Sequence, residues 1–256
     1  MTEPAAPCIR LAGLAKSFGP QAVLRGVDLD IPLGKITVVI GRSGTGKSVL
    51  LKTLMGLLRP DGGSIIIGGV DITKLPDREL LKVRNRFGMV FQNAALFDSM
   101  SVFENVAFPV REHERRLKEL EVKRRVDAAL AEVGLLEHGH KWVHQLSGGM
   151  RKRAAVARAL VRKPEFLLYD EPTTGLDPIM TAHVDELIRD TQDHTPGLTS
   201  LVISHDMEAT LRIADKVAML FDGRVIFEGT PDEVRGTDHP VVRQFVEGRL
   251  DGPIQL

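Results

Sequence analysis

The sequence predicts an α/β fold with a mostly parallel core sheet and an inserted helical segment. Short apolar runs rich in β-branched residues are typical of buried strands. Such runs occur at Ile36–Ile40, Phe166–Tyr169, Leu198–Ser204, Val217–Phe221 and Val225–Glu228. Strands that alternate with helices favour a parallel sheet with helices on its faces. The stretch from Lys74 to Gly139 is instead predicted to be mostly helical, and we interpret it as an insert rather than a separate domain.

The first third of the chain is predicted to be rich in strands. Apolar residues alternate weakly through Ile9–Leu14 and Val23–Ile31, with turn residues such as Gly19-Pro20 between them. The first buried strand leads into a glycine-rich turn. Ser48–Leu58 then has helical composition, and Ser64–Ile67 resumes as a strand.

The helical insert carries charges at helical spacing. Four glutamates each precede a basic residue by four positions, the favourable order for a helical ion pair. The pairs are Glu112–Arg116, Glu114–Lys118, Glu119–Lys123 and Glu121–Arg125. They indicate a solvated helix face, with a partner-binding surface as the alternative.

Composition excludes some classes of function. The 256 residues are 43% hydrophobic, which is enough for a sizeable core, and 34 basic residues balance 34 acidic ones. Zero net charge argues against nucleic-acid binding through bulk attraction. The single cysteine, Cys8, allows no intrachain disulfide. Neither a secretory signal nor an apolar run long enough to span a bilayer is found, so we expect a soluble intracellular chain.

Residues 41–48 read Gly-Arg-Ser-Gly-Thr-Gly-Lys-Ser and match the phosphate-loop pattern at every fixed position. The glycines let successive N–H groups point inward at a positive helix end, which makes an anion site. Lys47 is expected to reach the β- and γ-phosphates, and Ser48 to bind Mg²⁺ through its hydroxyl. The predicted nucleotide-binding residues here are Gly41, Arg42, Ser43, Gly44, Thr45, Gly46, Lys47, Ser48 and Val49.

Two carboxylates follow the apolar strand Phe166–Tyr169. Ligands of open α/β sheets bind at the carboxyl ends of the strands, where Asp170 and Glu171 stand. We expect Asp170 to hold Mg²⁺ directly or through water, and Glu171 to polarise a water for in-line attack on the γ-phosphate.

The segment 146–150, Leu-Ser-Gly-Gly-Met, lies 23 residues before the carboxylates, counted from Ser147 to Asp170, and opens a helical stretch. Here the chain resembles the nucleotide-binding subunits of ABC transporters, whose signature loop reads Leu-Ser-Gly-Gly-Gln. Met150 departs from this pattern, but the phosphate contacts that the family implies are made by Ser147, Gly148 and Gly149.

Other motifs match the family in order. Gln92 resembles the glutamine that senses Mg²⁺ and the attacking water, Asp177 the aspartate of the loop that crosses to the second subunit, and His205 the histidine that contacts the γ-phosphate. Phe18 stands where the family stacks an aromatic ring on adenine, with a core phenylalanine as the alternative. The resemblance thus implies catalytic roles for Gln92, Glu171 and His205 and metal binding by Ser48, Gln92 and Asp170.

The resemblance also implies an architecture. We expect a phosphate-loop NTPase domain over residues 8–246, with an antiparallel N-terminal β-subdomain, a helical subdomain at about 93–163 and a short tail at 247–256. The family forms head-to-tail dimers with two ATP molecules at the interface, so a second copy is the first expected partner.

Several segments resemble the ATPases of Mla/Mce phospholipid-transport systems: Asn93–Pro109, Arg111–His113, Asp177–Ile179, Val242–Phe245 and Asp251–Ile254. This similarity implies a role in outer-membrane lipid asymmetry, at the cytoplasmic face of the inner membrane. The implied partners are a membrane permease, a STAS-domain subunit and an Mce-domain lipid-binding protein, with no nucleic acid. The alternatives are an amino-acid-type importer, a non-transport ABC ATPase and a non-hydrolysing switch.

Two apolar segments leave alternatives open. Val242, Phe245, Val246 and Leu250 recur at helical spacing, which indicates either packing on the protein's own core or docking of a partner. The patch around 94–97 is either core or a groove for a permease helix.

Overall fold

Two β-sheets form the framework of the structure, a computed structural model that describes residues 8–255. The N-terminal sheet is antiparallel, with strand order β2-β1-β4-β5. Its strands are β1 (Ile9–Phe18), β2 (Gln21–Ile31), β4 (Gly62–Ile67) and β5 (Val70–Asp71). The antiparallel subdomain that the resemblance implied is therefore confirmed.

The second sheet has six strands in the order β10-β9-β3-β8-β7-β6. They are β3 (Ile36–Ile40), β6 (Phe87–Val90), β7 (Phe166–Asp170), β8 (Thr199–Ser204), β9 (Lys216–Phe221) and β10 (Arg224–Gly229). All neighbours pair in parallel except β9 and β10. Every residue of β3 and β8 is buried, as their apolar sequences predict for the middle of a parallel sheet. The predicted mostly parallel core sheet is confirmed.

Nine α-helices surround the sheets within the described residues. They are α1 (Lys47–Leu54), α2 (Asp77–Arg84), α3 (Val102–His113), α4 (Glu119–Glu132), α5 (Gly148–Leu160), α6 (Pro178–His194), α7 (Met207–Ile213), α8 (Pro231–Gly236) and α9 (Pro240–Glu247). Helices α3, α4 and α5 lie between β6 and β7. Their buried side chains, such as Val106, Val126 and Val156, belong to the same apolar cluster as Val38 and Tyr169 of the parallel sheet. The helical segment thus shares its core with the sheet, and its domain boundaries remain a prediction.

The stretch Lys74–Gly139 is mostly helical, as predicted, but it also contains strand β6, which the sequence analysis did not predict. The four residues of β6, Phe-Gly-Met-Val, are too few for periodicity to separate a buried strand from a helix. Packing decides the matter: a Cβ at Gly88 would lie 2.7 Å from the Ala159 carbonyl oxygen of α5. The glycine lets α5 approach the strand. The first helix also ends earlier than predicted, at Leu54, and Gly56 follows with a left-handed φ of 65°.

The charged face of the insert forms mostly different ion pairs from those predicted. Of the four expected pairs, Glu121–Arg125 is present at 3.1 Å. Elsewhere Glu112 pairs with Arg115, Lys123 with Asp127, Arg111 with Glu119 and Arg125 also with Glu114. The helix is interrupted between α3 and α4, so residues on the two sides of the break do not have helical spacing.

The C-terminal segment packs on the protein's own core. Val242 is fully buried, and Phe245 and Val246 pack against the same cluster, whereas Leu250 is 89% exposed. The following tail folds back onto Gln244, whose side chain accepts from Ile254 N at 2.7 Å and donates to its carbonyl oxygen at 3.1 Å. Between residues 8 and 255 we find no helix with both the length and the apolarity of a membrane span.

Candidate nucleotide-binding site

The carboxyl ends of four parallel strands bring the predicted site residues to one edge of the sheet. Ile40 is level with Ser204, Asp170 with Ile203, and Val90 with Tyr169. The residues that follow these strand ends therefore lie along one edge in the order of the strands: the phosphate loop after β3, His205 after β8, Glu171 after β7 and Gln92 after β6, one strand beyond Glu171. This edge is where open α/β sheets bind ligands.

The phosphate loop is packed between β2 and β9. Gly44 and Gly46 have φ values of 82° and 102°, which favour glycine, and Gly46 is the residue before α1. A Cβ at Gly41 would lie 2.4 Å from the Leu220 carbonyl oxygen, and one at Gly46 would lie 2.9 Å from Val23 Cγ1. The glycines therefore allow both the loop conformation and its close packing. The backbone amides of the loop lie at the positive N-terminal end of α1, where they can bind an anion.

Lys47 is buried inside this loop. Its Nζ donates to the carbonyl oxygens of Gly41 at 2.7 Å and Arg42 at 2.9 Å, and lies 3.8 Å from Glu171 Oε1. Burial lowers the pKa of the ammonium, while the negative charges of Glu171 and Asp170 oppose that shift. The cation is thus held among groups that an incoming polyphosphate could replace.

Ser48 and Asp170 bring two hard oxygen atoms together. The Ser48 hydroxyl donates to Asp170 Oδ1 at 3.4 Å. Within residues 8–255 no group of three or more His, Cys, Asp or Glu side chains could hold a metal ion. One hydroxyl and one carboxylate nevertheless suit Mg²⁺, which usually completes its octahedron with water and substrate phosphates. The exposed Gln92 side chain follows the neighbouring strand β6.

Asp170→Asn should raise the Tm by about 2 °C at pH 7, as expected when a destabilising, partly buried charge is removed from a functional site. Burial, and then the charge of Glu171, raise the pKa of Asp170. A raised folded-state pKa means that the folded protein binds protons more readily than the unfolded chain, so the carboxylate destabilises the fold as pH rises. Asparagine removes this charge. The gain in Tm should therefore disappear at about pH 3, near the ordinary aspartate pKa, as measured by thermal unfolding across pH. An equal gain at both pH values would contradict this account.

Glu171 lies at the centre of a polar cluster and has a left-handed φ of 47°. A non-glycine residue rarely adopts this conformation, and such residues are concentrated at functional sites. Its Oε2 accepts a hydrogen bond from the Thr174 hydroxyl at 3.1 Å and lies 3.5 Å from His205 Nδ1. Thr174 was not among the predicted site residues. Nothing in its local sequence marks it, because the contact depends on the turn that Glu171 begins.

Phe18 stands at the mouth of the cleft and is 47% exposed, which contradicts the alternative of a core phenylalanine. Lys16 Nζ lies 5.7 Å from the ring centroid, within cation–π range. The residues that line the cleft are Phe18, Val23, Ser43, Gly44, Gly46, Lys47, Ser48, Val49 and Glu171. Val23 was not predicted. The cleft therefore combines an exposed ring at one end with an anion site at the other.

The signature loop and Asp177 form a second cluster, outside this cleft. Ser147 caps α5 by accepting a hydrogen bond from Met150 N at 3.2 Å, and Asp177 caps α6 by accepting from Ile179 N and Met180 N, both at 3.0 Å. A Cβ on Gly149 would lie 1.9 Å from Met180 Cε, so the two helix starts pack directly together. Ser147, Gly148 and Gly149 do not line the cleft of their own chain.

A phosphate loop, a strand-end aspartate and a hydroxyl beside it, at the carboxyl edge of a parallel sheet, define a phosphate-loop nucleotide-binding protein. The chain belongs to the ABC transporter family, because residues 24–174 match the family model described as "ABC transporter". The sequence-based identification of an ATP-hydrolysing cassette is therefore confirmed.

Individual relatives agree with this assignment. The chain is 45% identical over 253 residues to the "Probable ribonucleotide transport ATP-binding protein mkl" of Mycobacterium leprae, covering 99% of this chain and 72% of that protein. It is 41% identical to the "Intermembrane phospholipid transport system ATP-binding protein MlaF" of Haemophilus influenzae, covering 97% and 93% of the two chains.

Among solved structures, cbiO1 of Clostridium perfringens, part of an ABC transporter complex, superimposes with a TM-score of 0.84 at 33% identity and 96% coverage of both chains. The cassette MJ0796, described as dimeric and bound to ADP and Pi, does so with a TM-score of 0.77 at 30% identity, covering 87% of this chain and 98% of that one.

Proposed function

We propose that this chain is the ATPase subunit of an ABC transporter that moves phospholipid between membranes. The linked contacts among Lys47, Glu171 and His205, beside Ser48 and Asp170, carry the catalytic part of the proposal. The lipid substrate is inferred from the intermembrane phospholipid transport name of the Haemophilus influenzae relative, which is matched almost end to end. The ribonucleotide name of the Mycobacterium leprae relative makes nucleotide transport the second candidate.

Several side chains of the cleft and of the adjoining sheet edge would have tasks in ATP hydrolysis. Phe18 would stack on adenine, and the loop amides with Lys47 would bind the β- and γ-phosphates. Ser48, Asp170 and Gln92 would hold Mg²⁺, which neutralises phosphate charge when bound. Glu171 would accept a hydrogen bond from the attacking water and polarise it, while Thr174 and His205 orient its carboxylate. The water oxygen bonds to the γ-phosphorus as the bond from that phosphorus to the bridging oxygen breaks; the bonding electron pair leaves with ADP, and Glu171 takes the water proton.

A second copy of the chain would complete each site. The signature loop presents a Ser147 hydroxyl and a helix N-terminus, which suit phosphate, yet it lies outside the cleft of its own chain. A head-to-tail dimer would bring this loop of one copy over the ATP of the other. The dimeric state of the MJ0796 cassette supports this arrangement. Closure with ATP and opening after hydrolysis would then be a population shift between two states.

An apolar groove between the sheet and the helical segment fits a helix of a membrane permease. Phe91, Phe97 and Phe108 are each 36–43% exposed on it, and the rings of Phe97 and Phe108 are 4.9 Å apart. Exposed aromatic clusters of this kind mark interaction sites. The sequence left open whether the patch at 94–97 is core or part of a groove for a permease helix. Each description fits part of the patch, because Ala94 is buried and Phe97 faces the groove. Such docking would place the chain at the cytoplasmic face of the inner membrane. The STAS-domain and Mce-domain subunits are proposed as further partners from the resemblance to Mla/Mce ATPases alone.

The substrate is tested with the assembled complex. A tagged copy expressed in its native host should co-purify with a polytopic membrane protein, and the complex in phosphatidylethanolamine–phosphatidylglycerol vesicles should move fluorescent phosphatidylethanolamine only with ATP.

The groove is tested by a charged substitution. Phe97→Asp should prevent co-purification without changing the ATPase rate of the isolated chain. Leu57→Asp is the matched control, since Leu57 is 52% exposed and does not line the groove. ATP-driven uptake of ribonucleotides or amino acids, without lipid movement, would overturn the lipid assignment.

A further inference from the structure

Two cationic side chains of α5 hold the segment that contains Gln92. Lys152 Nζ donates to the Gln92 carbonyl oxygen. Arg158 donates from Nη2 to the Ala94 carbonyl oxygen at 2.8 Å and from Nη1 to that of Ala95 at 2.6 Å. Helix α5 thus binds three carbonyl groups of residues 92–95, although the bonded residues are at least 60 positions apart in the sequence.

The held segment has an unusual backbone. Ala94 and Ala95 are consecutive and both left-handed, with φ values of 61° and 48°. L-residues adopt this conformation as isolated exceptions and persist in it only where the surroundings over-determine it. Backbone hydrogen bonds from Ala94 N to Phe91 and from Ala95 N to Asn93 belong to the turn itself. The hydrogen bonds from Arg158 add a hold from outside the turn, because they attach to the carbonyl oxygens of the same two residues.

Removing these two cations from water costs free energy. Lys152 is 7% exposed, and burial lowers the pKa of both side chains. Neither forms an ion pair with a carboxylate among residues 8–255, so backbone carbonyls take the place of counter-charges. A charged group as buried as Lys152 is unusual without a specific role, because desolvation disfavours it, and Arg158 is half-buried.

We propose that Lys152 and Arg158 are positioning residues that hold Gln92–Ala95 in the strained conformation from which Gln92 serves the nucleotide site. The proposal rests on the role proposed above for Gln92. Helix α5 also begins at the signature loop, and its Arg158 lines the apolar groove proposed for the permease helix. One rigid helix therefore connects the loop that meets ATP on the second copy, the Gln92 segment and the permease groove.

Arg158→Gln tests the proposal in the purified full-length chain. The kcat for MgATP should fall about tenfold, as expected for a displaced catalytic group. The KM for ATP should change less than about twofold, and the Mg²⁺ concentration for half-maximal rate should rise, because Gln92 serves metal and water rather than the bulk of the nucleotide. The matched control is Arg153→Gln. Arg153 lies on the same helix and also donates to a backbone carbonyl, that of Val133 at 3.3 Å, away from Gln92; its removal should leave kcat and the Mg²⁺ requirement unchanged.

A rescue variant separates positioning from general stability. Ala95 is exposed, and glycine adopts a left-handed φ without a Cβ penalty. Ala95→Gly in the Arg158→Gln background should therefore restore kcat by about threefold or more, as expected when a backbone strain is relieved. Arg158→Lys keeps the charge but has a single donor nitrogen in place of the two that reach Ala94 and Ala95. It should give an intermediate kcat and serves if the glutamine variant fails to fold.

Three results would overturn the proposal: a lower Tm with unchanged kcat and Mg²⁺ requirement, an equal effect of Arg153→Gln, or no rescue by Ala95→Gly. Gln92→Ala distinguishes this from failure of the proposed function. If Gln92→Ala lowers kcat while Arg158→Gln does not, only the positioning role is wrong. If Gln92→Ala leaves kcat unchanged, the role proposed for Gln92 in hydrolysis is wrong.

Discussion

Glu171→Gln is expected to lower the kcat for ATP hydrolysis by about 10³-fold, within the range that a positioned general base supplies. Glutamine has nearly the same shape and still accepts the hydrogen bond from the Thr174 hydroxyl. It cannot take a proton from water, and it carries no charge for His205 or Lys47 to face. ATP should still bind, because the phosphate loop, Ser48 and Asp170 are untouched.

The same variant should accumulate as an ATP-bound dimer. If ATP brings two copies together and hydrolysis separates them, blocking hydrolysis leaves the closed state populated. Light scattering with MgATP should then give twice the monomer mass for the variant. Glu165→Gln is the matched control, because Glu165 is an exposed glutamate directly before the strand that Glu171 follows, and it is paired with Arg86. A monomeric variant under these conditions would contradict the sandwich dimer, and an unchanged kcat would mean that another group activates the water.

The fold was predictable from the sequence where the composition of a segment alone indicates that the segment is buried. The run Ile36–Ile40 is apolar throughout and lies in the middle of the parallel sheet, buried on both faces. Strand β6 has the same kind of composition but only four residues, and its identity depends on pairing with β7 and on the contact between Gly88 and α5. Both partners lie more than sixty residues further along the chain, beyond the reach of a local pattern.

The site residues likewise fall into two groups, those that a local sequence pattern predicts and those that depend on contacts made in the folded protein. The phosphate loop was predictable because its chemistry is local: glycine torsions, Lys47 and the Ser48 hydroxyl lie within eight residues. Thr174, Lys152 and Arg158 were not, because each acts through a hydrogen bond that exists only after folding. The predicted ion pair Glu114–Lys118 failed for a related reason: the helix breaks there, and Glu114 turns to Arg125 on the next helix.

Lys47→Ala is the second change with a large expected effect. In the structure its ammonium is held by the carbonyl oxygens of Gly41 and Arg42, 3.8 Å from Glu171. Hydrogen bonds between charged groups contribute about 1.5–3 kcal/mol each, so losing the phosphate contacts should weaken ATP binding roughly tenfold to a hundredfold. The kcat should fall further, by about 10² or more, because the cation also stabilises the charge that develops on the phosphates in the transition state.

The control for this change is Lys52→Ala, which removes an exposed lysine from the last turn of the same helix. It should leave kcat and ATP affinity within about twofold of the unaltered protein, as surface substitutions usually do. Phosphate release measures the rates, and fluorescence titration with an ATP analogue measures the affinity. The Tm of Lys47→Ala should stay close to that of the unaltered protein, because relief of the buried charge offsets the lost hydrogen bonds to the loop carbonyls. Full ATPase activity in Lys47→Ala would contradict the assignment of this loop to the nucleotide phosphates, since no other lysine lines the described cleft.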